Sequence, residues 1–359
     1  MLQFLDPEGR FTVPEGYEED AKALTPDVML GLYRDMVLTR RFDAEGTSLQ
    51  RQGHLALWPP MLGQEGAQIG IGHAMKPEDF AFPTYREHGV ALTRGMDVAD
   101  LFETFRGAAH SGRDPREHNF HHYTLVLAAQ TLHAVGYAMG TSWDAQRDGR
   151  TEPGEATVAF FGDGSSSEGD VHEAMVFAAS YNAPIVFFAQ NNQYAISVPF
   201  SVQSKRPLAE RAAGYGFPGI QVDGNDVVAT FVASSRALRR ARAGEGPTLI
   251  EAQTYRLAAH TTADDPTKYR VKDEETEWHA KCPISRMERY LRAEGILDDD
   301  AAARIEAAAT ELAMHVRERV LASESPVIED SFRTVYAEEH PLVAEELQAH
   351  LAYTAGLEE

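Results

Sequence analysis

Three observations predict an α/β fold whose central sheet is mostly parallel. Two apolar strands, 157–161 and 185–189, bracket a segment that starts acidic (Glu168, Asp170, Glu173) and continues small and apolar. Two further strands, 220–224 and 248–252, bracket a second helical segment, 226–243. Alternation of this kind gives parallel sheets covered by helices. The first two strands also end in polar turns, Gly162-Asp163-Gly164 and Asn191-Asn192. Open parallel sheets bind their ligands at such strand ends.

The elements follow in chain order. Residues 1–25 mix Pro, Gly and acidic side chains without periodicity and read as an extended arm. A helix starts at Thr25-Pro26-Asp27, with Thr25 as cap and Pro26 in the first turn. Met29, Leu32, Tyr33, Met36 and Val37 fall on one face of it. Residues 63–75 form a helix dense in small residues, suited to close packing. Phe80-Ala81-Phe82-Pro83 is a short strand, 97–106 a helix, 107–122 a polar loop, and 128–145 a small-residue helix. The exposed linker 146–155 leads into the first strand pair. Helix 226–243 is expected to be amphipathic, its basic end (Arg236, Arg239, Arg240, Arg242) complementing the helix dipole. From Pro283 the pattern is helical. The division expected is an arm (1–25), an α/β domain (26–282) and a helical appendage (283–359).

Composition narrows the function. With 359 residues, 43% of them hydrophobic, the chain can bury a large core. A net charge of -22, from 55 acidic and 33 basic residues, argues against nucleic acid or an anionic membrane as the main partner. One cysteine, Cys282, allows no disulfide within the chain and disfavours a thiolate zinc site. The first residues carry no basic stretch before an apolar run, and no run approaches a bilayer span, so a cytoplasmic location is expected.

Chemistry concentrates in three places. Asp163 offers a carboxylate and Asn192 an amide oxygen, donors that suit magnesium completed by phosphate and water. Gly164 lets backbone amides approach a phosphate, and the carbonyl of Tyr194 is a further metal donor. Tyr85-Arg86 follows a short strand, where a guanidinium fork can grip a diphosphate and a phenol can add a hydrogen bond. Tyr255-Arg256 leads into His260-Thr261-Thr262-Ala263-Asp264-Asp265, a polar loop expected to be mobile without ligand. His118, His121 and His122 lack carboxylates at ligand spacing and read as solvated.

The pair formed by Gly162-Asp163-Gly164 and, about thirty residues on, Asn191-Asn192 resembles the diphosphate motif of thiamine-diphosphate enzymes. Further segments are similar to the α subunit of the decarboxylating component of 2-oxo acid dehydrogenase complexes. They are Gly63-Gln64-Glu65-Gly66, Thr84-Tyr85-Arg86-Glu87-His88-Gly89, Val222-Asp223-Gly224-Asn225-Asp226 and Pro283-Ile284-Ser285-Arg286. The resemblance runs from about residue 27 to 335 and implies the thiamine-diphosphate fold. It implies thiamine diphosphate held by Tyr85, Arg86, Leu127, Gly164, Ser165 and His260, and magnesium held by Asp163, Asn192 and the Tyr194 carbonyl. His260 would also face the reacting centre. It implies a β subunit that supplies the activating glutamate, in an assembly of two α and two β chains. A lipoyl-bearing acyltransferase would accept the acyl group.

Three departures stand out. Leu125-Val126-Leu127 occupies the place of a Ser-Pro-(Leu or Ile) run, the loop 110–115 is short, and Gln190 stands where some members have arginine. Leu55, Leu57 and Trp58 are expected near the acyl group, with Leu57 and Trp58 as the substrate pocket. The tail resembles branched-chain members more than pyruvate members, so a branched-chain 2-oxo acid is the expected substrate. The alternatives are a pyruvate or acetoin dehydrogenase α subunit, or a non-catalytic assembly subunit of the same fold.

Overall fold

The computed structural model describes residues 1–107, 113–324 and 327–357. Residues 110–112 of the short loop lie outside the described residues. The longer elements are α1 (Pro26–Arg51), α2 (Glu65–Ala74), β1 (Phe80–Phe82), α3 (Ala99–Arg106), α4 (Ala129–Arg147) and β2 (Thr157–Gly162). They continue with α5 (Gly169–Ser180), β3 (Ile185–Asn191), β4 (Gly219–Asp223), α6 (Val227–Arg242) and β5 (Thr248–Gln253). The last are α7 (Lys272–Ala280), α8 (Pro283–Ala293), α9 (Asp299–Ala322) and α10 (Pro341–Ala355).

The five strands form one parallel sheet in the order β1-β2-β3-β5-β4. Strand order runs outward to β3, skips to β4 and returns to β5. Right-handed crossovers then place α5 and α6 on opposite faces, and the core shows this. Val158, Phe160, Val186, Phe188 and Ile250 pack with Ala233, Ala237 and Leu238 of α6. The alternate residues Ala159, Phe161, Ile185, Phe187 and Leu249 pack with Ala134 and Val135 of α4 and Val171 and Met175 of α5. This is the period of two expected of strands buried on both faces. Gly162 pairs with Gln190 and Asn191 with Gln253, so the polar carboxyl ends of β2, β3 and β5 stand side by side.

Thr25 caps α1 as expected, its Oγ1 accepting from the Val28 amide at 3.3 Å with Pro26 in the first turn. The predicted apolar stripe of α1 is buried throughout. Close packing of α2 is also realised: a Cβ on Gly70 would stand 2.6 Å from Cβ of Thr230 in α6. One expectation for α6 needs correction: its first two turns are buried nearly all round, because α2 covers the side away from the sheet. Its basic end is in place, with Arg239, Arg240 and Arg242 in the last turn. It also makes ion pairs, Arg236 and Arg239 with Asp20 and Arg242 with the buried Asp79.

Residues 1–5 are fastened to the domain. Leu2 bridges to Val222, and Asp226 Oδ2 accepts the amides of Phe4 and Leu5 at 2.6 and 2.7 Å. The other oxygen of Asp226 caps α6, accepting from Val228 and Ala229 at 3.0 and 3.1 Å. Arg286 of α8 donates to the Leu5 carbonyl at 2.9 Å and to Asp223 at 2.7 Å. Phe4 and Leu5 therefore share a core with α1, α6, Met287 and Leu291 of α8, and Ile305 of α9. Val316 and Val320 of α9 reach the core beside the sheet, whereas α10 buries no residue. Among the described residues no helix is long and apolar enough to cross a membrane.

Candidate active site at the strand ends

A cavity of about 620 Å³ opens at the carboxyl ends of β2 and β3. Its wall brings together Tyr85, Arg86, Leu127, Asp163, Gly164, Ser165, Asn192, Tyr194 and His260, residues spread over 176 positions. The floor is polar. The mouth is apolar, with Leu125, Leu127, Ile196 and Val198 all exposed. Gly164 is tight: a Cβ there would lie 2.9 Å from Cβ of Ala195.

Strand alternation separates the two asparagines. Asn191 turns away and donates to Glu251 at 2.8 Å. Asn192 faces the cavity, its Nδ2 donating to Gln64 Oε1 at 3.0 Å and its Oδ1 accepting from the Tyr194 amide at 3.4 Å. Asp163 is buried, with the neutral Gln203 amide as its side-chain donor at 3.1 Å. Burial pushes its carboxyl up to about 6. The Arg256 charge acts on it from a distance and only partly offsets burial, and among the described residues no group of three His, Cys, Asp or Glu side chains could hold a metal. One buried carboxylate, only partly compensated, beside an amide oxygen fits a cation that draws its remaining ligands from phosphate and water. The Tyr194 carbonyl is already an acceptor, from Arg256 Nη1 at 3.0 Å, and keeps its second lone pair.

Positive charge stands against this acceptor set. Arg86 donates to the Pro60 carbonyl at 2.5 Å and to the His260 carbonyl at 2.9 Å. Arg256 is fully buried and donates to the Tyr194 carbonyl and, at 2.6 Å, to the Ile196 carbonyl. Burial and the charges of Arg86 and Arg270 push Arg256 down to about 10. Ile196 has φ of 54°, a left-handed conformation costly for a β-branched residue and common where function demands it. His260 is pushed down to about 3, first by burial and then by Arg86 and Arg256. Its Nδ1 stands 3.3 Å from Arg86 Nη2 and 3.4 Å from Arg256 Nη1, so Nδ1 accepts and the proton of the neutral ring is assigned to Nε2.

The same region holds an amide network at Gln190. Gln190 donates to buried Glu87 at 2.6 Å and accepts from Gln68 at 3.1 Å, while Glu87 also accepts the Thr84 amide and hydroxyl. Gln190 is thus a neutral link that braces the turn carrying Tyr85 and Arg86.

Residues 33–329 match the family described as "Dehydrogenase E1 component". The chain belongs to the dehydrogenase E1 component family. It is 43% identical over 357 residues to the 3-methyl-2-oxobutanoate dehydrogenase subunit alpha of Mycobacterium tuberculosis, covering 98% of this chain and 95% of that protein. It is 36% identical over 340 residues to the pyruvate dehydrogenase E1 component subunit alpha of Acholeplasma laidlawii, covering 93% and 96%. A Staphylococcus epidermidis protein of that same description is 40% identical over 302 residues, covering 84% of this chain and 79% of its own.

Leu55, Leu57 and Trp58, the three positions expected near the acyl group, do not line this cavity in this E1 chain, and Leu55 is buried. Trp58 is fully buried, stacked on Phe102 and His88 with its indole N–H donated to Asp43 at 2.9 Å. Leu57 is half-buried, and neither residue belongs to the cavity wall. A large ring next to a buried carboxylate partner is worth more in the core than at a mouth. The loop after His260 is tied by several contacts. Asp264 accepts the His260 amide at 2.8 Å and the Tyr269 hydroxyl at 2.5 Å, and Arg270 is buried against Tyr194 and Tyr255. His121 stacks on Phe82 rather than standing in solvent.

The cavity also enlists Gln64, Glu87, Gln203 and Arg256, which were not among the predicted site residues. For Gln64, Glu87 and Arg256 the available signal was membership of a quoted motif. For Gln203 there was none.

Proposed function

We propose that this chain is the α subunit of a 2-oxo acid dehydrogenase, binding the diphosphate end of thiamine diphosphate at the cavity with Mg2+. The observation that carries this reading is the single cavity uniting a buried carboxylate, an amide oxygen, two buried guanidiniums and a neutral histidine. Thiamine diphosphate, when bound, supplies a carbon nucleophile for the keto group and an electron sink for decarboxylation. The chain's own part is binding and orientation. Asp163, Asn192 and the Tyr194 carbonyl would hold the metal. Arg86 and Arg256 would compensate the diphosphate, which in turn would relieve the crowding of their own charges. Ser165, Gly164 and Tyr85 would add hydrogen bonds, and Leu127 an apolar contact at the mouth. His260, neutral at physiological pH, would present its Nε2 proton to the 2-oxo acid or to the acyl group as it leaves for a lipoyl arm.

Of the carboxyl groups on the described cavity wall, Glu87 is committed to Thr84 and Gln190, Asp163 is assigned to the metal, and Glu168 lies in an exposed turn. The glutamate that activates the cofactor would then come from a β subunit, in an assembly of two α and two β chains in the cytoplasm. Exposed Leu125, Val126, Tyr137, Trp143, Phe177 and Tyr181 form apolar surface suited to such a partner. A branched-chain 2-oxo acid is the favoured substrate, supported by the Mycobacterium relative's printed name at 43% identity. The test is to co-express the chain with its β partner and follow decarboxylation of 3-methyl-2-oxobutanoate, pyruvate and acetoin cleavage. Turnover strictly dependent on thiamine diphosphate and fastest with the branched acid is expected. No turnover of any 2-oxo acid would overturn the proposal.

A further inference from the structure

The Gly63-Gln64-Glu65-Gly66 segment is a motif to which the proposed chemistry assigns no role, yet its second residue stands in the cavity wall. The backbone there is tightly specified. Gly63 has φ of +94°, and a Cβ on it would lie 2.3 Å from the Tyr255 carbonyl oxygen, so no side chain fits. The Gly63 amide donates to Glu65 at 3.0 Å, and Glu65 is paired with Arg40 at 2.8 Å. The Thr254 hydroxyl lies 2.8 Å from the Gly63 carbonyl and 2.6 Å from Asn225 Oδ1, and its one proton serves one of them. The Leu257 amide donates to the Leu62 carbonyl at 3.0 Å. The chain on both sides of Gln64 is thus fixed to the segment that follows β5.

What this holds in place is one amide oxygen. Gln64 is 1% exposed, and its Oε1 accepts Asn192 Nδ2 at 3.0 Å. A carboxamide has one donor end and one acceptor end on a planar group that can turn over. With Nδ2 committed to Gln64 and Oδ1 accepting the Tyr194 amide only at a long 3.4 Å, Oδ1 of Asn192 is the end left to face the cavity beside Asp163. Turned over, Asn192 would present N–H groups to a cation.

We propose that Gln64 is a positioning residue that sets the orientation of the Asn192 carboxamide and so keeps its oxygen available to the cavity's divalent cation. This rests on the reading of Asp163 and Asn192 as metal donors. Partners of this kind, one bond removed from a metal, typically affect metal affinity by 10- to 100-fold.

The experiment uses the reconstituted α/β assembly at saturating thiamine diphosphate and titrates Mn2+ by electron paramagnetic resonance, with Mg2+ activation curves alongside. Gln64→Met, similar in size but unable to accept, should weaken Mn2+ binding by about tenfold, with kcat restored at saturating metal. Gln64→Glu, which still accepts from Asn192, should bind Mn2+ at least as tightly as the parent. An unchanged Mn2+ affinity in Gln64→Met overturns the inference, as does a loss confined to thiamine diphosphate affinity at saturating metal. Should Gln64→Met fail to assemble, weakened Mn2+ binding in Gln64→Glu overturns it equally. Asp163→Asn separates the two levels. If that variant keeps the parent's metal affinity, the metal assignment itself falls; if it loses metal while Gln64→Met does not, only the role of Gln64 falls.

Discussion

Replacing Arg256 by methionine sets two large effects against each other. The side chain is fully buried, so its hydrophobic stem is retained and its guanidinium is lost. Lost with it are bonds to the carbonyls of Tyr194 at 3.0 Å and Ile196 at 2.6 Å. Each bond from a charged donor contributes about 1.5–3 kcal/mol. Against this stands the cost of burying a cation beside Arg86 and Arg270, several kcal/mol for an ion out of water. The Nε atom of Arg256 has no partner, which adds to that cost. Release of the left-handed Ile196 returns about 1–3 kcal/mol more. The sum for the cofactor-free assembly lies near zero, so its stability should change by less than about 2 kcal/mol. The cofactor feels only the lost charge. Its affinity should fall by about 1.5–3 kcal/mol, roughly 10- to 150-fold. Calorimetric titration of thiamine diphosphate at saturating magnesium measures the second quantity, and thermal unfolding without cofactor the first. Affinity within threefold of the parent would refute the assignment of Arg256 to the diphosphate. A large loss of cofactor-free stability would refute the balance worked out above. Arg256→Lys, which keeps the charge without the planar fork, should fall between.

Asp163→Ala should abolish magnesium-dependent cofactor binding while leaving the assembly folded; calorimetry and circular dichroism read the two sides, and native affinity would count against the metal assignment. Added cofactor with magnesium should slow tryptic cleavage after Lys268, whose side chain is 78% exposed, whereas the buried Arg270 should resist cleavage even without cofactor. His260, held near 3, should show no imidazole titration between pH 5 and 8 by NMR, and a normal histidine titration there would contradict its place between two guanidiniums. Asp226 is pushed up to about 6, chiefly by burial and secondarily by Asp223. It binds its proton more tightly folded than unfolded, so its contribution favours the fold below its ordinary value and is lost as pH rises through about 6. Urea unfolding between pH 4 and 7 should show that decline, and Asp226→Asn should flatten it, if the arm and the helix cap depend on this one carboxyl.

Much of the fold was legible because its signals are local. Strand alternation, the Thr25-Pro26 start of α1 and the polar turns after β2 and β3 each involve a few adjacent residues. Their physics does not depend on what lies across the molecule. The proposed metal donors and Tyr85, Arg86 and His260 were legible for the same reason, as motifs at strand ends, and they share one cavity. The burial of Trp58 was not legible, because an aromatic next to a motif carries no local sign of its partner. That partner is Asp43, fifteen residues earlier on another element. The near-total burial of the start of α6 was hidden likewise, since α2 covers it through contacts no single helix displays.

Sequence alone thus determined the alternation of strands and helices, and with it a parallel sheet with its polar cavity at the strand ends. Side-chain period and turn chemistry are enough for that. Tertiary structure alone decided which groups the site's electrostatics rest on. Gln64 meets Asn192 across 128 positions, Gln190 meets Glu87 across 103, and Arg86 meets His260 across 174. Those contacts exist only once crossover connections have stacked the segments, because desolvation and charge are properties of the packed cavity and not of any segment within it.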